Sequence, residues 1–173
     1  MRAMNRVCLD NNILIWGVRR KATPGQETHI PRARALIAEL DESGARIIVP
    51  APVLSEFLTF APENRHAEIT ASLQRHFQLT PFDAHAAAVA AKIWRTQAEG
   101  DPNWKESLKE EVADLTHARI KYDIQILATA LSRNADILYT HDRALKRLAG
   151  GRIDVRELPP PPPKQKELFQ DEP

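Results

Sequence analysis

Four carboxylates, Asp10, Glu56, Asp123 and Asp142, are the residues of this chain whose types and positions could do chemistry. They are far apart in sequence, yet each stands at the edge of an apolar element. Asp10 ends the run Val7-Cys8-Leu9. Glu56 lies early in the helix-like segment 53–58. Asp123 opens the run 124–131, and Asp142 follows Ile137-Leu138-Tyr139-Thr140. Carboxylate oxygens suit a hard divalent cation, Mg2+ or Mn2+. Crowded acids repel one another, and such an ion relieves that repulsion. A bound ion would hold a phosphate oxygen and lower the pKa of an attacking water, which is the chemistry of phosphodiester hydrolysis.

Each acid also has a purely structural reading. Asp10 and Asp142 precede helical segments, and Asp is a preferred helix N-cap. Glu56 falls just outside the arc formed by Phe60, Phe57, Leu54 and Leu58 on a helical wheel, a boundary position compatible with solvent. Asp123 is harder to explain away. Ile126, Ala130, Leu127, Leu131 and Ile124 make one apolar arc, and Asp123 lies near its middle. A carboxylate on a core-facing side needs hydrogen bonds or a cation, because an unpaired buried charge is costly. An N-cap role at the helix start, or a cleft with metal, would meet that need.

The elements that must position these acids alternate between short β-like runs and helical stretches. Strands are expected at 6–9, 46–49, 77–80, 136–140 and 153–155. Helices are expected at 11–18, 32–41, 52–61, 63–76, 83–97, 104–116, 122–132 and 143–149, with a loop at 21–31 that contains Pro24, Gly25 and Pro31. Strands separated by helices predict a parallel sheet covered on both faces and joined by right-handed crossovers. In such a sheet ligands bind outside the carboxyl ends of the strands. All four acids can reach that rim. The nuclease-like domain is expected to span 1–158, with a proline-rich extended tail at 159–173 opening on five consecutive prolines.

Composition narrows the class. With 43% hydrophobic and 27% charged residues the chain has a soluble globular profile. No apolar run approaches the roughly 20 residues of a membrane span. The apolar stretch after the charged N-terminus stops at Asp10, too short for a signal-peptide core, so a cytoplasmic location is expected. The single cysteine, Cys8, is read as a small core residue. A net charge of +1 is low for a protein that grips nucleic acid by charge alone. Contact with nucleic acid would need metal or a local patch, for which Arg19-Arg20-Lys21 and Arg143, Lys146, Arg147 and Arg152 are candidates against a plain solvated surface. The six histidines are dispersed and no zinc-type spacing occurs; His141, beside Asp142, reads as a surface loop residue. No glycine-rich phosphate loop is present.

The motifs together resemble those of a PIN-domain ribonuclease, most closely a toxin of the VapC type. Val7-Cys8-Leu9-Asp10-Asn11-Asn12-Ile13 is similar to the family's apolar–Asp–Thr/Ser–Asn start; Asn12 matches, and Asn11 departs from the usual Thr or Ser. Val49 through Glu56 resembles the segment with the helical Glu. Asp123-Ile124-Gln125-Ile126-Leu127-Ala128 is the most specific motif, and Ala135 through Asp142 resembles the strand ending in Thr-x-Asp. The likeness runs over about 6–158. It implies a three-layer α/β/α sandwich with four to five parallel strands, and Mg2+- or Mn2+-dependent endonucleolytic cleavage of RNA. It carries over Asp10, Glu56, Asp123 and Asp142 as the catalytic and metal-binding acids, with Asn12 and Thr140 in support. It also implies a small antitoxin partner and a homodimer, and no membrane.

Within that reading Asp10, Asp123 and Asp142 are expected to hold metal directly and Glu56 directly or through water. Lys121 is a candidate phosphate contact, with a surface lysine as its alternative. Two other classes compete: a catalytically idle PIN-type RNA- or protein-binding module, and a phosphotransfer domain with Asp after its first strand. The second lacks its motif here, because Asn12 stands where the phosphatase type has another Asp.

Overall fold

The computed structural model describes residues 5–161. Residues 1–4 and 162–173, including most of the expected tail, lie outside the described residues. Five strands form the sheet: β1 (Arg6–Leu9), β2 (Arg46–Pro50), β3 (Gln78–Thr80), β4 (Ile137–Tyr139) and β5 (Asp154–Arg156). The helices are α1 (Asn11–Leu14), α2 (His29–Glu42), α3 (Ala51–Thr59), α4 (His66–Leu73), α5 (Ala84–Gly100), α6 (Trp104–Glu111), α7 (His117–Ser132) and α8 (Arg143–Ala149).

The central strands are continuous apolar runs because both faces are covered. Val7, Cys8, Leu9, Ile48, Val49 and Leu138 have no exposed surface. All pairings are parallel, in the order β3-β2-β1-β4-β5. Cys8 lies opposite Ile48 on one side and Leu138 on the other. Burial pushes the Cys8 thiol far up, which leaves it protonated and inert. The chain moves outward from β1 to β3, then crosses back to β4 and on to β5. With right-handed crossovers that reversal sends the helices before β3 to one face and those after it to the other, so the fold is the expected α/β/α sandwich.

Several helix boundaries differ from the sequence expectation. Helix α2 begins at His29, not near residue 32, so Pro31 sits inside the first turn. There its missing N–H is not needed. The segment expected to be helical after α1 winds as a π-helical turn, Ile15–Arg19, closed by Arg20 with φ of 55°. Most consequential, the helix expected over 104–116 stops at Glu111, and α7 starts at His117 instead of residue 122. Val112 is extended, Asp114 is left-handed, and the Thr116 hydroxyl oxygen accepts the Arg119 N–H at 3.1 Å to cap α7. Asp123 therefore sits in the second turn of α7 and is not its cap.

Candidate active site

The order in which strands are added reverses at β1 and β4, which are parallel neighbours. Leu9 lies opposite Tyr139, so Asp10 and the turn Thr140–Asp142 leave the sheet side by side. The Asp10 N–H donates to the Tyr139 carbonyl at 3.1 Å and extends that ladder by one bond. This is the crevice where an open parallel sheet binds its ligand.

Asp10 is only 6% exposed. Its Oδ1 accepts the Asn11 N–H at 2.7 Å and its Oδ2 accepts the Thr140 hydroxyl at 2.7 Å. The Thr140 hydroxyl oxygen in turn accepts the Asp142 N–H at 2.9 Å. Asp142 Oδ1 caps α8, accepting from Ala144 N–H at 2.7 Å and Leu145 N–H at 3.1 Å. Its Oδ2 receives the Arg119 guanidinium. Asp10 and Asp142 thus each cap the helix that follows, as their structural reading expects, and both face the same rim.

Asp123 is 5% exposed, and its Oδ2 is buried without a hydrogen-bond partner. That is the costly arrangement its place on the wheel foretells. Glu56 is exposed on α3, at the boundary where the wheel puts it. The Tyr122 hydroxyl donates to the Pro52 carbonyl and ties α7 to the start of α3. Between these elements lies a cavity of about 430 Å³, lined by Asp10, Glu56, Asp123, Asp142 and Asn12, among others. Thr140 is fully buried and acts from behind the cavity wall. Asn11, where the resemblance expects Thr or Ser, has a buried Oδ1 with no partner.

Burial and the neighbouring acids disfavour the charged form of Asp10 and Asp123. Burial raises the Asp123 carboxyl to about 8, helped by Asp142 and Asp10 and opposed by Arg119. Burial raises Asp10 to about 6, against the lowering by its hydrogen bonds from Thr140 and Asn11. Among the described residues no three His, Cys, Asp or Glu side chains converge as they lie on one ion position. Asp142 is turned to its cap and to Arg119, and Glu56 points from an exposed helix face. The donor chemistry fits Mg2+ or Mn2+ all the same: every acid offers oxygen, and Asp123 has an oxygen to spare.

Sequence reasoning missed Arg119. It is one turn before Asp123 on the same face of α7, a relationship visible only once the helix starts at His117. Lys121 is exposed and about 200° around the helix from Asp123, and it does not line the cavity. The basic clusters are largely engaged in structural contacts. Arg19 donates to the Phe60 carbonyl at 2.9 Å and stacks on Phe57 and Phe60. Arg147 pairs with Glu111 at 3.1 Å, Lys146 with Glu157 at 3.6 Å, and Arg152 bonds the Leu148 carbonyl at 3.2 Å. His141 is no surface loop residue. Its ring packs 5.1 Å from Trp16 and 4.8 Å from His29, and Nε2 accepts the Leu158 N–H at 3.1 Å. Burial lowers its pKa, and His29 adds to the effect.

A family model described as PIN domain matches residues 7–151. Solved structures with the same fold include VapBC from Salmonella typhimurium bound to DNA (TM-score 0.56, 18% identity, covering 90% of this chain and 99% of that chain). VapBC-1 from nontypeable Haemophilus influenzae gives a TM-score of 0.55 at 16% identity, covering 88% and 98% of the two chains. VapBC2 from Rickettsia felis, bound to a DNA fragment from their promoter, gives 0.53 at 14% identity over 88% and 98%. No curated protein matches the chain by sequence.

Proposed function

The chain belongs to the PIN domain family, and from that premise we propose that it is a divalent-metal-dependent endoribonuclease, the toxin of a VapBC-type toxin–antitoxin pair. The observation that carries the nuclease reading is the joint lining of one rim cavity by Asp10, Glu56, Asp123 and Asp142, with a buried, unpartnered oxygen on Asp123. Asp10, Asp123 and Asp142 would hold Mg2+ or Mn2+ directly, and Glu56 directly or through water. The bound ion supplies a nucleophilic water at neutral pH and charge stabilisation at the phosphate. Thr140 orients Asp10, and Asn12 supports the cavity wall beside it.

The toxin reading draws its support from the likeness to chains of VapBC structures. An antitoxin partner, a homodimer and a cytoplasmic site of action go with it. Among the described residues no helix is long and apolar enough to cross a membrane.

The test is incubation of purified protein with total RNA, with and without Mn2+, and mapping of the cut ends. Cuts that need metal, vanish with EDTA and are lost in Asp10→Asn and Asp123→Asn are the expected result. RNA binding without EDTA-sensitive cleavage would instead identify an idle binding module. Cleavage by a chain that is harmless when expressed alone would identify a housekeeping ribonuclease.

A further inference from the structure

We propose that Arg119 holds two positions in turn: the resting counter-ion of Asp142, and, once a divalent cation occupies the acids, a ligand of the RNA phosphate. The inference rests on the metal-dependent ribonuclease reading and adds a residue to it.

Asp142 is fully engaged at rest. Oδ1 is committed to the α8 cap, and Oδ2 receives the Arg119 guanidinium. Its side chain is 9% exposed, so Arg119 and an incoming cation compete for one carboxylate oxygen. With Asp142 so engaged, the four acids share a cavity while no three of them converge on one point among the described residues.

Arg119 is built to leave. Its side chain is 45% exposed, while its backbone is fixed by the Thr116 cap at 3.1 Å. The anchor keeps the Cα one helical turn from Asp123 while the long side chain can turn outward. Its destination follows from charge. Among the described residues Arg119 is the only cationic side chain lining the cavity, against four carboxylates. An RNA phosphate entering this wall meets one protein cation, and a guanidinium fork matches two phosphate oxygens.

The two roles make opposed demands on one side chain, which gives the test its sign. Mn2+ binding is measured by titration calorimetry on wild type, Arg119→Gln and Arg119→Lys, and single-turnover RNA cleavage at saturating Mn2+. Loss of the competitor should tighten Mn2+ binding in Arg119→Gln, by about two- to fivefold for an ion pair of this exposure. Cleavage should fall about a hundredfold for loss of a charged phosphate contact. Arg119→Lys should recover part of the cleavage as a point charge. A residue that merely props the fold would weaken both readouts together and lower the thermal midpoint. Unchanged or weaker Mn2+ binding in Arg119→Gln, or undiminished cleavage, overturns the inference and leaves the ribonuclease reading standing. A wild-type chain that neither binds Mn2+ nor cuts RNA removes that reading and this inference with it.

Discussion

The Thr140 hydroxyl donates to Asp10 Oδ2 at 2.7 Å while its oxygen accepts the Asp142 N–H at 2.9 Å. One buried side chain thereby sets the spacing of two acids that lie 132 residues apart in the chain. Thr140→Val keeps the shape and removes both bonds, so the Asp142 N–H and Asp10 Oδ2 lose their partner. A cost of about 1–3 kcal/mol in stability is expected. The bond from Thr140 lowers the Asp10 pKa, so its loss raises the pH at which Asp10 ionises. The acid limb of the Mn2+-dependent cleavage profile should move up in Thr140→Val and stay in place in Thr140→Ser. An unmoved limb in the valine variant would show that Thr140 does not tune Asp10.

Asp10 and Asp123 set a pH dependence of stability with a definite sign. Both folded-state values, about 6 and about 8, lie above the ordinary carboxylate value of 3.8. The folded chain holds these protons while the unfolded chain releases them, so metal-free stability falls as pH rises from about 4 to about 8. For Asp10 alone the loss is about 3 kcal/mol. Asp123→Asn should therefore raise the metal-free thermal midpoint at pH 8, have little effect at pH 4, and abolish cleavage. Added Mn2+ should stabilise wild type at pH 8 and not the variant. Thermal scans at the two pH values decide it; a destabilised Asp123→Asn at pH 8 would mean the carboxylate is satisfied by a partner the packing does not reveal.

The parts of the site that sequence made legible are those dictated by periodicity. Val7-Cys8-Leu9 and Ile137-Leu138-Tyr139 announce strands buried on both faces, and a parallel sheet puts the acids after them on one rim. Asp123 was conspicuous because it interrupts an apolar arc. Arg119 was not, because the first turn of α7 is exposed at His117, Ala118 and Arg119 and has no large apolar residue before Ile120 to mark the helix start. The packing of His141 against Trp16 and His29 joins three distant segments, and nothing local in any of them encodes it.

Glu56 differs from the other three acids in being exposed, and its neutralisation should separate metal binding from folding. Glu56→Gln leaves no buried group unpaired, so the unfolding free energy should stay within about 0.5 kcal/mol of wild type. In the proposed site it would contribute one carboxylate to the ion, directly or through water. The Mn2+ concentration for half-maximal cleavage should rise by about tenfold, as for loss of a supporting ligand contact. Asp10→Asn and Asp123→Asn should instead remove cleavage at every Mn2+ concentration. Equal loss in all three variants would place Glu56 in direct contact with the ion, on a par with the aspartates.

The segment after β5 is strapped to the same region by Arg32. Its Nε donates to the Pro159 carbonyl at 2.7 Å, and a terminal nitrogen donates to the Leu158 carbonyl. The Leu158 N–H completes the strap by donating to His141 Nε2 at 3.1 Å. Leu158 is 4% exposed, so its backbone groups have little water to turn to. Arg32→Ala leaves two carbonyls short of donors and should cost about 1–3 kcal/mol. Arg32→Lys can serve only one carbonyl at a time and should recover about half of that loss. His141→Gln keeps an acceptor near the Nε2 position, whereas His141→Leu removes it. Because His141 lies between Thr140 and Asp142, loosening the strap should also loosen the turn that carries the acid. Hydrogen exchange should therefore quicken at the Leu158 and Asp142 amides together in Arg32→Ala and His141→Leu, and at neither in His141→Gln. Faster exchange at Leu158 alone would show that the strap closes the fold without steadying Asp142.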